Sequence, residues 1–136
     1  MSQENVELVR RGFDAFNRGG RDSQASEALL APDVSWEVEI GVSDFDGVYH
    51  GRAAVRRFWQ TFTAELEDMR IEVEELVDCG ERVFCVTHAV GRGRHSGAVA
   101  AGGTVYPVFT VRDGLIVRYQ LFAERRKAIE AAGLTE

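Results

Sequence analysis

Val48-Tyr49-His50-Gly51-Arg52-Ala53-Ala54-Val55-Arg56-Arg57-Phe58-Trp59-Gln60-Thr61-Phe62 joins a glycine turn to a helix. The turn is at Gly51, and the apolar positions that follow are Val55, Phe58, Trp59, Phe62 and Leu66. Their spacing predicts one helical stripe carrying several large aromatic rings. Upstream lies a short helical region; downstream lies a run of β-type segments. A helix with an aromatic stripe laid across a curved sheet walls a pocket, so the segment bears on function as well as on fold.

Upstream, Val6, Val9, Phe13 and Phe16 recur at spacings of three and four, which predicts a helix from Glu4 to Arg18, stopped by Gly19-Gly20. Asp22 or Ser23 opens a second short helix through Leu30, ended by Ala31-Pro32-Asp33, because the residue before proline avoids the helical region. Val34, Trp36, Val38 and Ile40 alternate with polar residues and predict the first strand. A polar loop from Gly41 to Gly47 then leads to the helix already described.

Downstream, strands are expected at Ile71–Val77, with a bulge at Glu74-Glu75, and at Arg82–Arg94, Val99–Arg112 and Leu115–Glu124. Ser96-Gly97 and Asp113-Gly114 supply the turns. A short helix from Arg125 to Ala132 ends at Gly133. Helices and strands segregate along the chain, which is an α+β pattern with a mostly antiparallel sheet. Long strands twist and curl, and helices across the concave side enclose a volume.

With 136 residues, the chain is expected to form a single domain over 1–136. The formal net charge of −6 argues against a general nucleic-acid binder. The basic groups Arg56-Arg57 and Arg125-Arg126-Lys127 fall on predicted helices and read as solvated faces. No apolar run approaches the roughly 20 residues of a membrane helix, and Met-Ser-Gln-Glu-Asn has no signal-peptide pattern, so no membrane partner and a cytoplasmic location are expected. A turn at Gly80-Glu81 pairs Cys79 with Arg82, leaving Cys79 and Cys85 as reduced apolar fillers. His50, His88 and His95 share no short spacing with carboxylates, so no metal site is expected. Nor is there a cofactor fingerprint: Gly-x-Ser-x-Gly, phosphate-loop and dinucleotide motifs are all missing.

Several motifs together resemble the SnoaL-like polyketide-cyclase group of the nuclear transport factor 2-like, or ketosteroid isomerase-like, superfamily. They are the opening Glu-Asn-Val-Glu-Leu-Val-Arg-Arg-Gly-Phe-Asp-Ala-Phe-Asn, Ala31-Pro32-Asp33-Val34 with Trp36, Tyr49-His50-Gly51-Arg52, Arg112-Asp113-Gly114 and Glu130-Ala131-Ala132-Gly133-Leu134. The resemblance covers nearly the whole chain. It implies a conical α+β barrel, with three helices of the N-terminal half packed on a strongly curved, mostly antiparallel sheet and a short C-terminal helix. It also implies a pocket at the open end of the cone and a homodimer formed through the convex sheet face. Members include isomerases, dehydratases, epoxide hydrolases, cyclases and non-catalytic binding modules, so the fold does not choose an activity.

Matched to the ketosteroid isomerases, the general base position falls at Val38, the oxyanion-hole tyrosine at Gly12 and the late aspartate at Pro107. All three functional groups are missing, which argues against that activity. The Asp-Arg-Asp constellation of the epoxide hydrolases and the strand aspartate of the SnoaL-type cyclases have no match either.

The same anchors predict the inward positions. They are Trp36, Val38 and Ile40 on the first strand, Phe84, Val86, His88, Val90 and Arg92 on the strand from Arg82, and Leu115, Val117, Tyr119, Leu121 and Ala123 on the last. Phe16, Phe58 and Phe62 wall the pocket from the helices. His88 is the acid–base candidate, since its ordinary pKa of about 6.5 suits proton transfer near neutrality; the alternative is a core histidine. Tyr119 is the second catalytic candidate, as a donor to a carbonyl or enolate oxygen; the alternative is a wall residue bonded to the backbone. Trp36, Val38, Phe58, Phe62, Arg92 and Phe109 are the candidate ligand contacts; the alternative for Arg92 is a place at the rim in solvent. The expected ligand is a small, apolar, polyketide-like or other carbonyl compound. It is bound either by a cofactor-independent cyclase, isomerase or dehydratase, or by a non-catalytic binding or structural dimer module.

Overall fold

Val6, Val9, Phe13 and Phe16 are all buried along helix α1 (Ser2–Gly19), as their spacing requires. The computed structural model describes residues 2–19, 24–41, 45–64, 66–93, 99–101 and 103–134. The expected helix opener at Asp22 or Ser23, His95 and the turn at Ser96-Gly97 lie outside these residues. Two asparagines fasten α1 to strand β3 (Leu66–Cys79). Asn5 Nδ2 donates to Gly80 O at 2.9 Å. Asn17 takes both backbone groups of Ile71, donating to its carbonyl at 2.9 Å and accepting from its N–H at 2.8 Å. Because β3 ends the sheet, its outer backbone groups need partners from elsewhere, and Asn17 provides them at one residue.

Helix α2 is only Gln24–Glu27, and strand β1 begins at Leu30 and runs to Glu39. The expected helix through Leu30 is therefore corrected. Leu30 and Ala31 are buried in the sheet. Pro32 falls in the irregular part of the β1–β7 pairing between Leu30 and Ser35, where a nitrogen without hydrogen is tolerated. The loop after β1 is corrected as well. It includes strand β2 (Gly47–His50), antiparallel to β1 from Val38↔Gly47 to Ser35↔His50. Four residues are too few to show alternation. The Asp46 carboxylate closes the connection by accepting the N–H groups of Ile40 and Gly41, both at 2.9 Å. Helix α3 (Arg52–Phe62) stops where Thr63 folds back, its Oγ1 donating to Trp59 O at 2.7 Å. Leu66, expected on the helical stripe, instead opens β3.

The remaining strands are β4 (Arg82–Gly93), β5 (Val99–Ala101), β6 (Tyr106–Arg112) and β7 (Leu115–Phe122), followed by α4 (Arg125–Ala132). The sheet order is β2-β1-β7-β6-β4-β3, with β5 pairing the far end of β4. Among the described strands, β1–β7 is the parallel pair; the others are antiparallel. The expected strand Val99–Arg112 is divided into β5 and β6, with a Thr87–Val105 bridge between them. Cys79 pairs with Arg82 as the turn predicts, and the β3 ladder skips Glu74, which is the expected bulge.

Both faces of this curved sheet are covered. On the concave face, α1 and α3 pack with β1, β4, β6 and β7 around Val9, Phe13, Val34, Trp36, Phe58 and Phe109. On the opposite face, Ala128, Ile129 and Ala132 of α4 seal Phe84, Val86, Val108 and Phe122. This arrangement corrects the inward set on β4: Val83 and Cys85 face α1 and α3, whereas Phe84 and Val86 face α4. A strand buried on both sides has no polar alternation to mark which side is which, and Val83 to Thr87 are all buried. On β7 the pairing skips Val117, so Ile116, not Leu115, belongs to the concave core before the bulge, and Tyr119 and Leu121 after it.

Gly133 ends α4 in the left-handed region at φ 80°, and the Leu134 N–H reaches Ile129 O at 3.0 Å. Only glycine adopts that conformation freely. Gly133→Ala is expected to cost about 1 kcal/mol, read from the urea midpoint.

Candidate functional site

Three aromatic side chains lie abreast on adjacent strands of the concave face. Trp36 on β1 is opposite Tyr119 on β7, and Tyr119 is opposite Phe109 on β6. Trp36 and Tyr119 stack with centroids 3.7 Å apart, and Phe109 meets Tyr119 edge-on at 5.0 Å. This floor is roofed by Gly12, Phe13 and Phe16 of α1 and by Arg52, Val55, Arg56 and Trp59 of α3. Between floor and roof is a cavity of about 80 Å³, with Ser26 and Glu27 of α2 also on its wall. A single water needs about 10–15 Å³, and an engineered cavity of about 150 Å³ admits benzene. The space therefore takes a small organic group, provided part of it stays at the open side.

The polar groups here come mainly from helices. Arg56 forms a two-bond ion pair with Glu27: Nε donates to Oε2 at 3.0 Å and Nη2 to Oε1. Both partners are partly exposed, which places the pair at the mouth. Arg52 donates from Nε and Nη2 to the carbonyl of Leu30, at 2.8 and 2.5 Å. That carbonyl begins the irregular part of β1, so one role of Arg52 is to satisfy it. Burial pushes the Tyr119 phenol far above its ordinary value, with a smaller contribution from Cys85, so Tyr119 is a neutral hydroxyl throughout the physiological range. Among the described residues, Trp36 Nε1 is buried without a hydrogen-bond partner.

The structure brings together some of the residues expected from sequence and not others. Trp36, Phe109 and Tyr119 border the cavity. Val38, Phe58 and Phe62 do not. Phe58 is 3% exposed and is surrounded by the rings of Phe45, Tyr49, Trp59 and Phe62, with centroids 5.1–6.3 Å away, so the aromatic cluster fills that end of the cone. Val38 is buried in the core, and Arg92 is exposed near β5.

His88 is not beside Tyr119, and its expected inward position is corrected. The ring lies between two β3 carboxylates, Nε2 at 2.9 Å from Glu72 Oε1 and Nδ1 at 3.0 Å from Glu74 Oε2. It borders a different, polar hollow with Arg10, Asp14 and Asn17. Of the three ketosteroid isomerase positions, Gly12 borders the cavity, while Val38 and Pro107 are buried away from it.

Sequence reasoning missed Arg52, Arg56 and Glu27. Arg52, Val55, Arg56 and Trp59 follow the three-and-four spacing of a helix face, and that pattern could have revealed the two arginines. Glu27 carried no such signal.

The comparisons agree with this architecture. No curated protein matches the sequence. An NTF2-like protein of unknown function from Burkholderia pseudomallei is 25% identical, with 93% of this chain and 95% of that one covered and a TM-score of 0.75. A candidate polyketide cyclase from Sinorhizobium meliloti is 25% identical over 89% of this chain and 98% of its own, with a TM-score of 0.66. A candidate SnoaL-like polyketide cyclase from Jannaschia sp. CCS1 shares the fold at 19% identity, with 96% and 91% covered and a TM-score of 0.72. The SnoaL-like domain profile matches residues 9–119, and the chain belongs to that family.

Proposed function

We propose that the protein binds a small, largely apolar carbonyl compound in the cavity between α1, α3 and the concave sheet face. The observation that carries this reading is a neutral Tyr119 hydroxyl in an aromatic wall with Trp36 and Phe109. Such a site buries a flat apolar body and offers few directional contacts. Acetophenone is a suitable probe. It is expected to raise the unfolding midpoint, because a ligand of the native state stabilises it. Tyr119→Phe is expected to weaken binding roughly threefold to tenfold, the value of one neutral hydrogen bond. His88→Ala, outside the cavity, is expected to leave the affinity unchanged. Equal affinity in the Tyr119→Phe variant would remove the phenol from the site.

A second reading is cofactor-independent acid–base turnover as a cyclase, isomerase or dehydratase. It is favoured by the same phenol, which stays protonated and can donate to a developing enolate oxygen. Exchange of the acetophenone methyl protons in deuterated water, followed by NMR, tests it. Exchange no faster with the protein than without it would leave binding alone.

A further inference from the structure

We propose that the ligand of this cavity is a small aromatic or unsaturated carboxylate, with its anionic end on Arg52 and its ring against Trp36 and Tyr119. The inference rests on the small-molecule reading above and adds the charge of the ligand. Two observations converge on it. The first is that Arg52 keeps unused donor capacity on the cavity wall. A guanidinium carries five N–H groups. Arg52 directs Nε and Nη2 to one neutral carbonyl, and its Nη1 has no partner among the described residues. A ligand that completes this wall brings acceptor oxygens.

The second observation is charge balance. Arg56 and Glu27 neutralise each other. Arg52 is half-buried, lines the same apolar cavity and has no carboxylate within ion-pair distance among the described residues. A cation against an apolar wall is poorly screened, and an anion entering beside it recovers interaction that water does not supply. The planar guanidinium edge also matches the two oxygens of a carboxylate. The size of the hollow sets the scale of the ligand: no more than one ring or a short branched chain, with part of it at the open side. If Arg52 served only to tie α3 to Leu30, no preference for anions would follow.

The test compares benzoate with benzamide, its neutral isostere, on the wild-type protein by calorimetric titration at neutral pH. Benzoate is expected to bind about tenfold more tightly, the difference between a charged and a neutral hydrogen-bonded pair. That preference is expected to disappear in Arg52→Met and to survive in part in Arg52→Lys, both checked for folding by circular dichroism. Should neither variant fold, the wild-type comparison still decides. Equal affinities, or tighter benzamide, would overturn the charge assignment and leave the small-molecule reading intact. Absence of binding by benzoate, benzamide and acetophenone alike would overturn both.

Discussion

Phe58→Ala is expected to destabilise the protein by about 3–5 kcal/mol, the range for removing a fully buried ring from a packed core. The ring is 3% exposed and touches the aromatic side chains of Phe45, Tyr49, Trp59 and Phe62. Truncation strips out those contacts and leaves a void that rigid neighbours cannot fill. Urea unfolding followed by fluorescence measures the loss. Acetophenone affinity measured alongside is expected to stay within about twofold of wild type, because Phe58 is not on the cavity wall. The sequence reading of Phe58 as a ligand contact makes the opposite forecast, a changed affinity with modest loss of stability. The two measurements together separate a filler from a wall.

That contrast shows where periodicity stops being informative. Helix α3 carries aromatic rings at Phe58, Trp59 and Phe62, and their spacing announces a helix without saying which ring meets a cavity. Trp59 and Phe58 are neighbours in sequence, and only Trp59 lines the hollow. The turn at Asp113-Gly114 was readable because both residues adopt positive φ, 54° and 77°, which is what that dipeptide supplies. The Glu74 bulge was readable because charged residues interrupt an apolar alternation. The face of β4 was not, since apolar residues fill both sides from Val83 to Val86. The conical α+β form itself was implied by ordered motifs spread across the chain, and the family match over residues 9–119 bears it out. Arg52 stood in one of those motifs, yet a motif names a position without stating what lies beside it. Its neighbours, the Leu30 carbonyl and the cavity, come from β1 and the helices folding together.

Phe84→Ala is expected to cost about 3–5 kcal/mol as well, through the other core. Phe84 is 1% exposed, stacks on Tyr106 at 6.3 Å and lies under the Arg125 guanidinium at 5.3 Å. Ala128 and Ile129 of α4 belong to the same cluster. The helix has eight residues, too few to persist without packing, so its stability comes from this contact. Loss of the ring is expected to release α4 before the rest of the fold. In native-state hydrogen exchange, the Ala128 and Leu134 amides would then exchange faster than those of β6. Acetophenone affinity is expected to be unchanged, since the cavity is on the opposite face of the sheet. A Phe84 that faced the cavity would give the reverse pattern, with altered affinity and α4 exchange as in wild type. Uniformly faster exchange across α4 and β6, with both losing protection together, would instead show that the two cores unfold as one cooperative unit.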